Sequence, residues 1–447
     1  MKKMMFLGLL VGASTLGAAD VSVTVDSIHQ RWPWESKIDV DFTVTCPEGE
    51  TVDAAFDFNN GSASLLFPEE AISGSCYSLT PGEHRITLDP SAAGYSNECW
   101  KAFSASVSKA SLSPLYIIID LEKPKGAPGQ VTYLSKSDIL SGNYGSYEEN
   151  PVPGVASIAW TGVTNDVQYA TTKYVMRRIE AGTFMMGAAT DYSKPYAVGT
   201  NRVTITRPFY IGVFETTQRQ WELVAGSNPS YFKLNGSTRP VEGITYAMVR
   251  GSAAAWPTDG YGKADAGSFL QKMCELTGLV FDLPTYAQWQ YASAGTKTGS
   301  WYNNGTSPSG TAEWSDSDKA RAVARISTNA GAAIPASGVD YTTIDTDRGT
   351  AKVGSYACNA FGLYDMHGNV WEFLLDWANN AYQWPLECSD PTGPDPEGLS
   401  EHMWCGGSFR FNAQYIKLGF RGGYTIPLES KNAVYLRESG FRMIVMP

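Results

Sequence analysis

Histidine is scarce. The 447-residue chain has four, His29, His84, His367 and His402, and no two lie close together in sequence. A histidine-built zinc site or metalloprotease therefore has little to stand on. Charge is thin as well: Asp, Glu, Lys and Arg make up 18%, and the net charge is −11. A duplex-binding surface needs an excess of basic residues, so no nucleic-acid partner is expected. No CxxC occurs, which leaves neither a zinc ribbon nor a thioredoxin-like redox pair. No run of eighteen uninterrupted apolar residues exists, so no stable membrane insertion is expected once a leader is removed.

What is present is apolar and aromatic. Hydrophobic residues reach 43% and aromatics 12%, with 13 Trp, 24 Tyr and 44 Gly. That composition rules out wholesale disorder and suggests a loop-rich, β-leaning protein. The length suggests two or three domains. Residues 1–19 read as a secretory signal peptide: Lys2 and Lys3, the apolar run Met4 to Val11, then small Gly17-Ala18-Ala19. The expected compartment is periplasmic or extracellular, where disulfides are permitted. Seven cysteines (46, 76, 99, 274, 358, 388 and 405) leave at least one outside any intrachain pair.

Residues 20–121 read as a small β-sandwich domain. Val21 to Val25 and Lys37 to Val44 alternate, Ser113 to Leu121 forms another run, and Asn60-Gly61 is a hairpin signal. Residues 122–170 are richer in Gly, Ser and Pro and read as a linker with a strand or two. Residues 171–447 carry three helix signals. One follows Glu215-Thr216-Thr217. One runs from near Asp265 to Gly278, with Phe269, Leu270, Met273 and Leu276 on one face. One opens on a Thr285-x-x-Gln288 capping box and ends near Gly295. Short helices on a loop-dominated body give an α+β class.

From about Arg177 onward, six motifs occur in order. They are Ile179-Glu180-Ala181-Gly182-Thr183-Phe184-Met185-Met186-Gly187; Phe209-Tyr210-Ile211-Gly212-Val213-Phe214-Glu215; Arg239-Pro240-Val241-Glu242; Leu283-Pro284-Thr285-Tyr286-Ala287-Gln288-Trp289; Asn359-Ala360-Phe361-Gly362-Leu363-Tyr364-Asp365-Met366-His367-Gly368-Asn369-Val370-Trp371-Glu372; and Gly406-Gly407-Ser408-Phe409 with Gly440-Phe441-Arg442. This region resembles the formylglycine-generating enzyme family, the sulfatase-modifying factors. The resemblance implies a compact variant of the C-type lectin fold.

Fold alone does not give function. Oxidising members of the family use two cysteines five positions apart, shortly after Gly-Gly-Ser, and two soft thiolates suit Cu(I). Here those positions are Phe411 and Ile416, so the resemblance implies a member without copper or oxidase chemistry. Cys405 precedes Ser408, on the wrong side of the motif, and a disulfide with Cys388 is favoured over a catalytic role for it. The histidine-bound iron of the family's sulfoxide-synthase branch also fits badly.

The resemblance further implies a calcium site at Asp365, Gly368, Val370 and Glu372, with carboxylates at the ends and main-chain carbonyls between. The alternative is that the two acids only meet backbone donors. A second family calcium site would fall at 316–347, which is too divergent to carry ligands. Trp371, Ser408 and Tyr415 match positions lining the family's peptide cleft and are candidate binding-groove residues; the alternative puts Trp371 in the core beside Trp377. Tyr286, Gln288 and Gln290 replace acids and are read as a new contact surface or as drift. Arg421 and Arg442 are read as structural.

The functional expectation is a secreted, non-oxidising protein that binds a peptide or a glycan. One alternative is an oxidase or related enzyme of the same cleft. Another is a hypervariable lectin-like ligand-binding protein, with residues 411–435 as the variable segment.

Overall fold

The structure is a computed structural model. It describes residues 21–152, 155–187, 199–251, 256–258, 260–295, 302–303, 318–330, 348–379, 382, 384–399, 401–422 and 436–447. The signal segment and 423–435 lie outside the described residues. The chain divides into two units, Met1–Leu115 with Ser135–Ser137, and Tyr116–Leu134 with Asp138–Pro447.

The first unit is all β. A four-stranded antiparallel sheet runs in the order Ser22–Gln30, Ile38–Thr45, Gly82–Leu88, Ile72–Ser73. A three-stranded sheet runs Ser64–Leu65, Val52–Asn59, Ser104–Leu112. Alternation explains the packing. Ile38, Val40, Phe42 and Val44 share one face and join Val52, Ala54 and Phe58 of the other sheet in a single core with Ile86, Leu88 and Trp100. The turn at Asn60-Gly61 connects Val52–Asn59 to Ser64–Leu65, with Asn60 N–H donating to the Ala63 carbonyl at 3.1 Å.

The second unit is α+β. Its largest sheet has six strands, in the order Phe281–Asp282, Ile444–Val445, Phe209–Gly212, Lys173–Ile179, Tyr116–Asp120, Val131–Leu134. The run Tyr116–Asp120, grouped with the first domain in the sequence, pairs here with Lys173–Ile179 (Ile119 opposite Tyr174). The physical reason lies in its composition. Tyr116, Ile117, Ile118 and Ile119 are all buried, so the strand needs cover on both faces, unlike the half-buried alternating strands of the first unit. Residues 122–170 likewise contain defined elements: Val131–Leu134, the helix Lys136–Leu140, and the hairpin Glu148–Val152 with Val155–Ala159.

The three helices form where their caps predict. Gln218–Ala225 and Tyr286–Ala294 each open on a capping box, Thr217 with Gln220 and Thr285 with Gln288. Phe269–Thr277 opens on Ser268. All three stop at a left-handed glycine: Gly226, Gly278 and Gly295.

The disulfide expectation is overturned: none of the seven cysteines forms a disulfide. Cys405 is buried on the His402–Cys405 strand and Cys388 sits on Glu387–Ser389, and those strands belong to different sheets. A disulfide requires a specific geometry between its two cysteines, which closeness in sequence does not set.

Candidate functional site

The strand Trp371–Trp377 carries the candidate site. It pairs antiparallel with His402–Cys405 and parallel with Ser439–Gly440. Successive side chains on a strand leave opposite faces. Glu372 therefore enters a charged cluster and its neighbour Trp371 an aromatic one.

The charged cluster is fully enclosed. Arg442 donates to Glu372 from Nη2 at 2.6 Å and from Nε at 2.7 Å, and Trp289 Nε1 donates to the same carboxylate at 2.7 Å. Arg442 also donates to the carbonyls of Gly212 and Tyr364, each at 3.0 Å. Glu215 accepts from Val370 N–H at 3.1 Å and from Asn369 Nδ2 at 2.6 Å. Asp365 Oδ2 accepts from Gly354 N–H at 2.6 Å, while its Oδ1 is buried with no hydrogen-bond partner among the described residues. Three buried carboxylates thus face one guanidinium. Burial, and then the charges of Asp365 and Glu372, push Glu215 well above its ordinary range. Burial raises Asp365 to about 6.

The backbone of the loop is built for close approach. Asp365 and Asn369 have φ of 56° and 62°, a left-handed conformation that short polar side chains tolerate. Gly368 has φ of 75°, and a Cβ there would stand 2.2 Å from the Arg325 carbonyl oxygen. Of the four residues expected to bind calcium, Asp365 and Glu372 bring their carboxylates into this one cluster. Glu372 spends both oxygens on Arg442 and Trp289, so it fits an ion-pair role rather than a ligand role. Among the described residues no three His, Cys, Asp or Glu side chains form a metal-holding group. Asp365 Oδ1 is the carboxylate oxygen of the set that fits a cation.

On the other face, Trp371 packs with Trp404 at 4.7 Å, Phe411 at 5.3 Å and Phe420 at 5.9 Å between ring centroids. Tyr415 meets Phe411 at 4.9 Å and Phe420 at 5.2 Å. Trp371 and Ser408 are buried; Phe411 and Tyr415 are half-buried. Ser408 Oγ donates to Glu438 Oε2 at 2.8 Å, and Arg410 stands 3.6 Å from the other oxygen. Burial raises Glu438 to about 7 against those two partners. The sequence reading missed Glu438; its one signal was its place two residues before Gly440-Phe441-Arg442. Glu215 was read only as part of a motif.

The two positions that would carry thiolates lie in different apolar surroundings. Phe411 belongs to the Trp371 cluster. Ile416 is buried with Tyr302, Val323, Ala324 and Ile326. His367 holds that segment: its Nδ1 meets the Ile416 carbonyl at 2.5 Å and its Nε2 accepts from Asn303 N–H at 3.0 Å. Burial lowers His367 to about 4, so it is neutral.

Tyr286, Gln288 and Gln290 are buried, which removes them as a contact surface. Tyr286 Oη donates to the carbonyls of Gly187 and Gly419, and Gln290 exchanges two hydrogen bonds with the Gly187 backbone. Arg442 is structural, as expected. The Arg421 side chain lies outside the described residues.

The family model described as the sulfatase-modifying factor enzyme 1-like domain matches residues 164–446, and the chain belongs to this family as a divergent member without the copper-binding cysteine pair. Chaperone protein LppX of Paenibacillus barcinonensis is 29% identical over 240 residues, 50% of this chain and 79% of that protein. The formylglycine-generating enzyme of Thermomonospora curvata is 39% identical over 80 residues, only 17% of this chain and 26% of that enzyme. Among solved structures, Treponema denticola variable protein 1 is similar with a TM-score of 0.43 at 20% identity, covering 68% of this chain and 100% of that one. PvdO from Pseudomonas aeruginosa gives 0.43 at 19% identity, covering 61% and 94%.

Proposed function

We propose that the protein is an exported, non-oxidising member of the family that binds an extended peptide at the rim formed by Phe411 and Tyr415. The observation that carries this reading is the replacement of both thiolates by carbon. Phe411 meets Trp371 and Tyr415 edge-on, and Ile416 is enclosed in apolar packing. Neither side chain offers a lone pair to Cu(I). Half-buried aromatic rings over a buried aromatic floor suit apolar side chains of a ligand. A family relative named as a chaperone, similar over 79% of its length, supports a polypeptide rather than a glycan as the ligand.

The test has two arms. Purified protein given Cu(I) and a cysteine-containing sulfatase peptide should neither take up one equivalent of copper nor consume the thiol. A library of labelled unstructured peptides should yield binders whose affinity falls about tenfold in Phe411→Ala or Tyr415→Ala. Thiol turnover, or binding indifferent to both rings, overturns the reading.

We also propose a structural calcium ion at Asp365 with the Gly368 and Val370 carbonyls, supported by the lone buried Asp365 oxygen in a cluster of excess negative charge. Chelator should then lower the melting temperature of the wild type and leave Asp365→Asn unchanged.

A further inference from the structure

The first unit presents two tryptophans to solvent on one turn. Trp34 is 88% exposed and Trp32 is 39% exposed, with Pro33 between them, where the chain passes from Ser22–Gln30 to Ile38–Thr45. Elsewhere in the unit, Phe42, Phe56, Phe58, Phe67, Trp100 and Phe103 pack ring against ring. Neither Trp32 nor Trp34 has a ring partner among the described residues. Leaving an indole in water forfeits the burial that makes Trp valuable to a fold.

The turn is held firmly under these rings. Arg31 N–H donates to the Lys37 carbonyl at 2.9 Å and Glu35 N–H to the Arg31 carbonyl at 3.3 Å. The Arg31 guanidinium makes two 2.9 Å hydrogen bonds to Asp39 and one of 3.2 Å to Glu35. Gln30 Nε2 bridges the carbonyls of Ser36 and Glu98 at 3.2 and 2.8 Å, and its Oε1 accepts from Trp100 N–H at 2.9 Å. A preorganised turn loses little conformational entropy when a ligand covers it.

We propose that Trp32 and Trp34 form a carbohydrate-stacking platform for a neutral polysaccharide. A pyranose ring offers an apolar C–H face the size of one indole and hydroxyls at its edge. The rings here take the first, and the half-buried Arg31 and Lys37 and the exposed Glu35, on the same turn, carry donors and acceptors for the second. Charge selects against the other candidates. Residues 31–39 hold two cations (Arg31, Lys37) and two anions (Glu35, Asp39), so no basic excess exists to draw an anionic membrane. A protein partner needs about 800 Å² per side, far more than two rings ringed by charge supply.

Affinity electrophoresis of the full chain tests this, in native gels containing hydroxyethyl cellulose, galactomannan or a soluble β-1,3-glucan. At least one gel should retard the protein. Trp34→Ala should weaken that binding about 10- to 30-fold, as truncation of an anchoring tryptophan does. The melting temperature should not move, because the ring supports nothing in the fold. Retardation by none of the gels, or retardation that survives Trp34→Ala, overturns the proposal. So does Trp34-dependent sedimentation with phosphatidylglycerol vesicles, which would assign the turn to a membrane.

Discussion

The two faces of the Trp371–Trp377 strand differ in what substitution they tolerate. On one, Glu372 is locked by Arg442 and Trp289, and the motif residues Glu215, Asp365, Gly368 and Asn369 are packed around that pair. On the other, Trp371 sits in an apolar cluster whose members are exchangeable carbon. The charged face cannot change one residue at a time, because each removal leaves a buried charge unmatched. The aromatic face can, because hydrophobic swaps cost less when volume is kept. A scaffold can therefore keep its family signature while the chemistry beside it is replaced.

The largest effect expected is at Arg442. Arg442→Met leaves Glu372, Glu215 and Asp365 buried without their cation and should destabilise by about 3–5 kcal/mol in urea unfolding. Adding Glu372→Leu should recover part of that loss. If the single variant unfolds like the wild type, the contrast between the faces fails. Gly368→Ala comes next. Its left-handed φ and the 2.2 Å approach to the Arg325 carbonyl predict a loss of about 2–3 kcal/mol.

The third effect is pH dependence at Glu438, whose buried carboxylate accepts from Ser408 Oγ. Its folded value, about 7, lies above the ordinary 4.5. The folded state therefore binds the proton more tightly than the unfolded chain. The stability this contributes is full below pH 4.5 and lost as pH rises to 7. Glu438→Gln stays neutral and should escape that loss, gaining up to about 3 kcal/mol on the wild type between those pH values. His367 has the opposite sign, since its folded value of about 4 lies below 6.5. Its contribution is present above pH 6.5 and lost as pH falls to 4. Measuring the difference between variant and wild type isolates Glu438 from it.

How much of this was legible in the sequence follows from how local each signal is. The helices were readable because Thr285, Gln288 and the stop glycines act within one turn. The Asp365–Glu372 loop was readable through its motif. The pairing of Tyr116–Asp120 with Lys173–Ile179 was not, because it joins Asp120 to Lys173 and Tyr116 to Arg177, far along the chain. The disulfide reading failed because closeness in sequence does not set the geometry two thiols need: Cys388 and Cys405 are both free. Glutamines at 288 and 290 looked like surface because amides usually are; a carbonyl of Gly187 and the Thr285 cap bury them instead.

Of the substitutions on the two faces of the Trp371–Trp377 strand, Phe411 gives the smallest expected change in stability and the sharpest test of the aromatic face. Its ring is half-buried, so truncation exposes less new apolar surface than the 3–5 kcal/mol typical of a fully buried phenylalanine reflects, and about 1 kcal/mol is expected. Trp371 keeps Trp404 and Phe420 and should stay ordered, which near-ultraviolet circular dichroism can follow. Peptide affinity should nevertheless drop about tenfold, because the ring supplies the ligand-facing half of the stack. A variant that loses stability and affinity in equal measure would mean that Phe411 is core and nothing more. One that keeps its fold and loses the peptide would show that carbon at this position has a function of its own.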